Sequence, residues 1–473
     1  MKYPYCIIGR ILPLGVALLL PLWLRASPTG IRVLADESIT TTTKSNNGSN
    51  PMWCVGAPLL VRDKKGTVWA SISVHDSEAP SYCNTHWELW RRPVAGQWER
   101  ARKGTAATER EPCPLMLLND ESLVLSIQPK ILERDISVSG VNVTWFCQPA
   151  LAVYNPSAIE KEPRLWVPDF GVAAIFDQHS YRGAGVDSAR GELLTMVIDR
   201  DDIYRPTWRD AAGTWHPLAP ITFPVRACYP EVVLRNRAAH VFAIGDIVEQ
   251  NEEWKAEKFR VLKQHWDYAF RRLFYTWSPD LAAEGLRPPI EIDSADDTAG
   301  WMENLDMLVD AQNRVHLLWI RRNIQYDFMR DRFFPGQPIT ESVMHAVIEE
   351  GRVVARETLM HRELTAGPMM NGHQFTGGRL HLLPDGRLFA VIVAKDTPAE
   401  PTSGSGLYVQ QLDLMGKSSA VPVRVPLATS PPERTFFTNT MRGGSQPSHD
   451  LDLLGTETHD GVISLRYIHV QIP

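Results

Sequence analysis

The sequence predicts an all-β fold, a seven-bladed β-propeller built from four-stranded antiparallel blades. The main observation is a pattern that recurs seven times, in which a tight turn separates two apolar strands. Turns rich in Gly, Asn or Asp between apolar runs are hairpin signals, and a multi-strand unit that recurs about every 66 residues is typical of a propeller. The turns centre on Gly66, Asp120, Gly191, Asn236, Asn313, Gly386 and Gly461.

A third strand with an aromatic signature often follows each pair. It occurs at 86–90, 273–277 and 406–409. A weaker fourth strand completes most units, and four strands make one propeller blade. The paired strands are nearly continuously apolar, as expected for strands that are buried on both faces.

Residues 1–26 are predicted to be a secretory signal peptide. Lys2 and Arg10 supply positive charge, 11–24 is an uncharged apolar run, and Ala26 is a suitable residue before a cleavage site. The run has about 14 residues, fewer than the roughly 20 that a membrane-spanning helix needs. We therefore expect an exported protein, secreted or periplasmic, with no integral membrane span after cleavage.

Residues 27–50 are predicted to supply a closing strand and a short spacer. The segment 31–42 is β-prone, and the last blade runs out of chain after its second or third strand. We expect 31–42 to be the outer strand of that blade, because ring closure removes the exposed edge of an open sheet. No linker divides 51–473, which we expect to form a single propeller domain.

Long loops are predicted on one face of the ring only. The turns between first and second strands are short, whereas the loops between second and third strands are long and share a face with the connections between blades. Two short helices are predicted inside such loops, one at 252–264 with Asn251 as its N-cap and one around 324–334. Because elaborated loops on a rigid scaffold usually carry function, we place the site at the channel mouth on this face.

Composition excludes several classes of protein. The formal net charge of −6 argues against a nucleic-acid binder, which normally presents a basic face. The chain has no glycine-rich phosphate motif, no H-E-x-x-H and no G-x-S-x-G, so nothing indicates a cofactor or a metal. No C-x-x-C motif occurs. The sequence allows either disulfides or buried free thiols at the cysteines after residue 26, which are Cys54, Cys83, Cys113, Cys147 and Cys228.

The chemistry-bearing residues of the elaborated face suit carbohydrate. Carboxylates serve glycoside cleavage, a Tyr and His pair serves β-elimination of a uronate, and arginine binds a sugar carboxylate bidentately. Any single residue of this kind is more often a loop hydrogen-bonding residue than a catalyst. The catalytic candidates are Glu231, Asp246, Tyr229 and His179, and the substrate-binding candidates are Arg271, Arg182, His75, Trp301, Glu303, Arg321 and His373.

One cluster is predicted in blade 4. Glu231 is expected to open its first strand and Asp246 to end its second, so antiparallel pairing would bring the two carboxylates together. Arg271, Tyr229 and His179 are expected within reach. Two nearby carboxylates would raise one pKa, which suits general acid catalysis. The alternative is that Arg271 neutralises both carboxylates and the cluster only holds the loops.

The segment Asp210–Trp215 (DAAGTW) resembles the Asp-box S-x-D-x-G-x-T-W of the BNR-repeat, sialidase-like β-propellers, and Gly96–Trp98 is a shorter version. Both fall in predicted outer hairpins, where such boxes are structural. The resemblance implies an activity on carbohydrate, either hydrolysis or elimination. The chain departs from true sialidases in having seven units rather than six and in lacking the Arg-Ile-Pro motif near the start of the mature chain.

Two classes of function remain open. The first is a glycoside hydrolase or polysaccharide lyase with its site at the channel mouth, acting as a monomer on a poly- or oligosaccharide. The second is a non-catalytic propeller that binds a glycan or a protein.

Overall fold

The computed structural model describes residues 30–79, 82–138, 141–172, 174–177, 181–264, 268–364, 373–395, 405–413, 415, 421–433 and 436–473. The predicted signal peptide at 1–26 lies outside these ranges. The described residues form seven four-stranded antiparallel sheets, and neighbouring sheets pack against one another around the ring. The predicted seven-bladed propeller is confirmed.

Blades 1 to 3 follow one another in the order of the chain, each with its first strand at the channel and its last strand outermost. Their strands are β2 (Leu60–Arg62), β3 (Val68–His75), β4 (Thr85–Arg92) and β5 (Glu99–Lys103) in blade 1; β6 (Leu115–Leu117), β7 (Leu123–Ile127), β10 (Ala150–Tyr154) and β11 (Arg164–Trp166) in blade 2; and β12 (Arg182–Asp187), β13 (Glu192–Ile198), β14 (Tyr204–Arg209) and β15 (Trp215–Pro217) in blade 3.

Blades 4 to 6 repeat the same order. Their strands are β16 (Ala227–Arg235), β17 (Ala238–Gly245), β20 (Arg272–Ser278) and β21 (Ile290–Ser294) in blade 4; β22 (Trp301–Val309), β23 (Val315–Arg322), β24 (Ile339–Glu349) and β25 (Arg352–Leu364) in blade 5; and β26 (Phe375–Leu382), β27 (Leu388–Ala394), β28 (Gly406–Leu412) and β29 (Val423–Arg424) in blade 6.

Blade 7 closes the ring with strands from both ends of the described chain. It consists of β30 (Phe437–Thr438), β31 (Asp450–His459), β32 (Val462–Gln471) and, outermost, β1 (Arg32–Thr43). β1 pairs antiparallel with β32 along its whole length, from Arg32 opposite Gln471 to Thr43 opposite Val462. The predicted closing strand at 31–42 is therefore confirmed.

The hydrophobic core lies between neighbouring blades. All seven residues of β13 and all seven of β27 are buried, because each sheet is covered on both faces by its neighbours. One cluster joins Val61 and Trp69 of blade 1 to Leu115 and Leu125 of blade 2. Sheet-on-sheet packing of this kind explains why the inner strands read as continuous apolar runs.

The expectation that Gly461 marks a first-to-second turn is wrong. Gly461 joins β31 to β32, the second and third strands of blade 7, so this turn lies on the face of the long loops. The first strand, β30, has only two residues and leaves no apolar run in the sequence. The long segment 439–449 connects β30 to β31, so this first-to-second connection is an exception to the predicted short turns.

Long loops carry the extra elements on the predicted face. β8 (Lys130–Val138) and β9 (Val141–Cys147) form a hairpin between β7 and β10, and β18 (Ile247–Val248), α1 (Glu252–Leu262) and β19 (Tyr268–Ala269) lie between β17 and β20. α2 (Asp327–Phe333) lies between β23 and β24. Both predicted helices are present.

Helix α1 begins where the sequence predicts. The side-chain oxygen of Asn251 accepts hydrogen bonds from the backbone N–H groups of Glu253 and Trp254, both at 3.1 Å. This N-cap satisfies donors that have no partner inside the helix. Over the ranges that the structure describes, neither helix has the length and apolar character needed to cross a membrane.

Candidate functional site

A cleft of about 530 Å³ opens on the face of the long loops. The starts of the first strands of blades 4, 5 and 6 line it, together with the chain before β2 and the β31–β32 turn. Antiparallel blades place the starts of first strands and the second-to-third turns at the same face, which explains this combination. Its aromatic lining residues are Trp53, Tyr229, Phe270, Trp301 and Phe375.

The aromatic rings of the cleft pack against one another and against a histidine. The rings of Trp301 and His373 have centroids 4.2 Å apart. Tyr229 meets Trp53 edge-on at 6.3 Å and is stacked on Phe270 at 6.4 Å. Large, mutually supported rings lose little conformational freedom when a ligand binds, so they suit stacking against a flat ligand face.

Tyr229 reaches the cleft because β16 is irregular at this point. Its φ of +50° lies in the left-handed region, and the register of β16 against β17 shifts between Cys228 and Glu231. A bulge of this kind re-aims a side chain that regular pairing would send elsewhere. Burial raises the pKa of Tyr229 well above the ordinary value of a tyrosine.

His373 is held by a buried carboxylate behind the cleft. Its Nδ1 lies 3.3 Å from Oε2 of Glu341, which is fully buried and also accepts from the backbone N–H groups of Gln374 (2.8 Å) and Phe375 (2.9 Å). A neutral imidazole that donates from Nδ1 keeps a lone pair on Nε2. Glu341 was not among the residues predicted for the site. The feature of the sequence that could have indicated it is a carboxylate at the start of the strand that pairs with β23, where it lies opposite Arg322.

Three buried polar atoms of the cleft have no hydrogen-bond partner among the described residues. They are Nε1 of Trp53, Oδ1 of Asn304 and Oγ1 of Thr376. The amide nitrogen of Asn304 is used, since it donates to the carbonyl of Tyr229 and to Oε1 of Glu231, both at 3.0 Å. An unpaired buried donor or acceptor costs about 1–3 kcal/mol, so these atoms are suited to a ligand or to water.

Glu231 lies beneath the cleft rather than in it. It belongs to a buried set that we call the channel network, which consists of Glu231, Asn304, Asp306, Arg379 and Arg442. Arg442 pairs with Oδ1 of Asp306, whose Oδ2 accepts from the backbone N–H of Leu380 at 2.8 Å. Burial raises the pKa of Glu231 to about 8.

Asp246 belongs to a different network. It pairs with Arg226, and the hydroxyl of Tyr181 lies 3.5 Å from its Oδ2. Burial raises the pKa of Asp246. The predicted Glu231–Asp246 cluster is not formed, because β16 begins four residues before Glu231, at Ala227. Glu231 therefore pairs with Phe242 and not with the end of β17.

Arg271 also has partners of its own. Its guanidinium donates to Oε1 of Glu249 at 3.1 Å and to the carbonyl of Gly300 at 3.0 Å. Lys258 of α1 reaches the same carboxylate at 2.9 Å. Arg271 therefore ties α1 to blade 4, and neither the predicted contact with Glu231 nor that with Asp246 is among its interactions.

The other candidates divide between the cleft and its surroundings. Trp301, Glu303 and His373 line the cleft together with Tyr229. Arg182 is buried and donates to the carbonyl of Pro112 at 3.0 Å.

Two further candidates also lie away from the cleft. Arg321 donates to the carbonyl of Ser294 at 3.3 Å, and His75 hydrogen-bonds to Thr43 of the closing strand at 3.0 Å. His179 lies outside the described residues.

The five cysteines of the described chain are buried free thiols. Cys83 hydrogen-bonds to Cys147, and this bond together with burial raises the pKa of Cys147. Within the described ranges, His, Cys, Asp and Glu side chains form no group of three or more that could hold a metal ion.

Together these features define the protein as a seven-bladed β-propeller with an aromatic-lined cleft at the channel mouth. No protein-family model matches the chain, and no curated protein matches it.

The chain is similar in structure to several solved proteins. A protein of unknown function from Dyadobacter fermentans is 10% identical, with 94% of this chain and 100% of the other covered and a TM-score of 0.46. An alpha-L-arabinanase of Penicillium chrysogenum, solved with arabinobiose, is 8% identical, with 92% and 98% covered and a TM-score of 0.47. The polysaccharide lyase Uly1 is 10% identical, with 93% and 98% covered and a TM-score of 0.49.

Proposed function

We propose that this protein is an exported propeller whose cleft binds an oligo- or polysaccharide. The observation that carries the proposal is the combination of aromatic faces with the unpaired neutral atoms of Trp53, Asn304 and Thr376. A sugar ring offers an apolar face for stacking and hydroxyl groups that both donate and accept. A mostly apolar concave site with a few placed polar groups is the usual form of a small-molecule site, and its volume lies in the usual range.

The groups in the cleft also support cleavage of the bound saccharide. Glu303 is a carboxylate in the lining, and His373 is oriented by Glu341 for proton transfer through Nε2. Glu303 and Glu433 would together supply the two carboxylates of a hydrolase, whereas His373 and Tyr229 would supply the acid and base for elimination. We propose a glycoside hydrolase or polysaccharide lyase on this basis.

A non-catalytic glycan-binding propeller is the second candidate, and a specific observation favours it. The two carboxylates that the sequence nominated for catalysis, Glu231 and Asp246, are buried in separate ion-pair networks. Neither lines the cleft. A binding protein needs only the aromatic faces and the unpaired polar atoms.

The degenerate Asp-box supports the proposed sialidase-like relationship. Oδ1 of Asp210 accepts from the backbone N–H of Thr214 at 2.8 Å, and Oδ2 lies 2.8 Å from Nε2 of His216. Gly213, with a φ of +91°, completes this turn between β14 and β15. The box therefore stabilises an outer hairpin, as the resemblance implies.

A polysaccharide panel tests the proposal, with binding measured by calorimetry and cleavage by new reducing ends and by the ultraviolet absorbance of unsaturated uronates. We expect binding that Trp301→Ala weakens at least about fivefold, since stacking on an aromatic ring contributes about 1 kcal/mol or more. Reducing ends alone indicate a hydrolase, both signals indicate a lyase, and binding without products indicates the second candidate.

The matched control is Trp166→Ala, which removes a tryptophan from β11 on the outer edge of blade 2 and should leave binding unchanged. Equal affinity of Trp301→Ala and the parent protein, or no binding to any saccharide, contradicts the proposal.

A further inference from the structure

Resting on the proposed function, we infer that the saccharide recognised by the cleft is neutral, without carboxylate or sulfate groups. Few charged side chains of the described chain line the cleft, and the arginines near it are paired with protein carboxylates.

Among the described residues, the cleft and its floor carry no excess of positive charge. Three cations accompany four carboxyl groups, with one cation and two carboxylates in the lining and the rest in the channel network. The cations are Lys44, Arg379 and Arg442, and the carboxyl groups are those of Glu303, Glu433, Glu231 and Asp306. Because burial raises the pKa of Glu231 to about 8, Glu231 is protonated near neutral pH, and three positive charges remain beside three negative ones. His373, the imidazole in the described lining, already has Glu341 as its partner. An anionic saccharide would therefore meet no net attraction.

The arginines that the sequence nominated for a sugar carboxylate are bound to protein acceptors. Arg182 pairs with Glu109 at 3.5 Å, Arg271 with Glu249, and Arg321 with Asp293 at 3.5 Å. No arginine among the described residues lines the cleft. Carboxylate recognition typically uses the two parallel N–H groups of a guanidinium, and this element is missing from the described lining.

The polar atoms of the cleft that lack a partner among the described residues belong to neutral groups. Nε1 of Trp53 donates, Oδ1 of Asn304 accepts, and Oγ1 of Thr376 does both. A hydroxyl group satisfies each of them without bringing a charge into a half-buried site. A carboxylate placed beside Oδ1 of Asn304 or beside Glu303 would lose its hydration and gain no compensating donor.

The charge of the ligand is tested by calorimetry with neutral polysaccharides (arabinan, xylan, galactan and glucan), uronates (polygalacturonate and alginate) and a sulfated galactan. We expect at least one neutral member to bind, at least tenfold more tightly than any acidic member. Its affinity should change less than about twofold between low and high salt, because screening acts only on charge interactions.

Binding to acidic members alone, with an affinity that falls steeply with salt, overturns the neutral-ligand inference and leaves the proposed function intact. Binding to no member overturns the proposed function, and the inference with it.

Arg434 follows the lining residue Glu433 in the chain and lies outside the described residues, so Arg434→Ala is measured in the same assay. We expect unchanged affinity for the neutral ligand. An acidic saccharide that binds the parent protein as tightly as the neutral one and loses this affinity in Arg434→Ala contradicts the inference.

Discussion

Buried charged residues form ion pairs and hydrogen bonds beneath the cleft. Arg442 comes from the long β30–β31 connection on the opposite face and pairs with Asp306 of blade 5, while Arg379 of blade 6 donates to the carbonyl of Val55 at 3.1 Å. Burial lowers the pKa of Arg379 to about 10. These pairs join three blades and the chain before β2, so we expect them to determine stability rather than ligand chemistry.

The Asp306–Arg442 pair gives a prediction for stability. Asp306→Asn leaves a buried guanidinium with one charged partner fewer and should lower the free energy of unfolding by about 3–5 kcal/mol. The control is Glu252→Gln, which removes an exposed helix pair with Lys255 and should cost less than about 0.5 kcal/mol. Denaturant titration measures both, and equal small losses would contradict the structural role.

Glu231 gives a prediction with a definite sign in pH. Its folded pKa of about 8 lies above that of an unfolded glutamate, so the folded state retains a proton that the unfolded chain has released. Its contribution to stability is therefore full below the unfolded pKa and is lost as the pH rises through about 8. Glu231→Gln stays neutral, so its stability relative to the parent should rise with pH, by up to about 1.4 kcal/mol per unit.

Asp210→Asn is the control of opposite sign for the same denaturant titrations. A hydrogen bond from His216 lowers the pKa of Asp210, so the stability it contributes is present above the unfolded pKa and is lost as the pH falls. Parallel stability curves for Glu231→Gln and the parent protein between about pH 5 and 8 would show that Glu231 is ionised in the folded state.

At the scale of strands, the closing strand holds the two ends of the described chain together. Arg466 of β32 binds Asp36 at 2.6 Å, and Arg92 of blade 1 binds Glu37 at 2.7 Å. Ion pairs therefore hold β1 both to β32 of blade 7 and to blade 1. Its β-prone composition and the missing fourth strand of the last blade were sufficient to predict it.

Deleting residues 1–43 should lower the midpoint of thermal unfolding by more than about 5 °C, because the deletion exposes the edge of β32 and removes both ion pairs. Deleting only 1–29 is the control and should leave the midpoint unchanged. Differential scanning calorimetry makes the comparison, and equal midpoints for the two deletions would show that β1 does not close the ring.

Local irregularity set the limit of prediction from sequence. Periodicity indicated the seven turns and the loop lengths, but it gave no sign that β30 has two residues or that β16 begins at Ala227. Because the short β30 was not recognised, Gly461 was predicted on the wrong face. Because β16 begins earlier than predicted, Glu231 was predicted opposite Asp246, whereas it pairs with Phe242. Trp301, Glu303 and His373 were placed in the cleft because they begin strands or follow long loops on one face, a property that depends only on topology.

At the scale of the whole molecule, the ring buries its five described cysteines as free thiols. Without residues 1–26, the native protein should not react with a thiol reagent, and the unfolded protein should titrate five thiols without reductant. Fewer than five would indicate a disulfide, and the hydrogen-bonded pair Cys83 and Cys147 would be the first to examine by peptide mapping.

The asymmetry of the two faces is the property of the whole molecule that the proposed function depends on. Hairpin β8–β9 and helices α1 and α2 all lie on one face, and the aromatic cleft opens on the same face. A second cavity of about 360 Å³ lies at the opposite face, lined by first-to-second turns and by charged residues such as Arg62 and Glu121. These two openings of the ring are the alternative binding sites for a saccharide.

A crystal structure of the protein with the saccharide that binds best in the panel tests this choice most directly. We predict density for a sugar ring stacked in the cleft against Trp301 or Trp53, with a hydroxyl within hydrogen-bond distance of Oδ1 of Asn304. Density at the opposite face, or on the outer strands with the cleft occupied by water alone, would contradict the account.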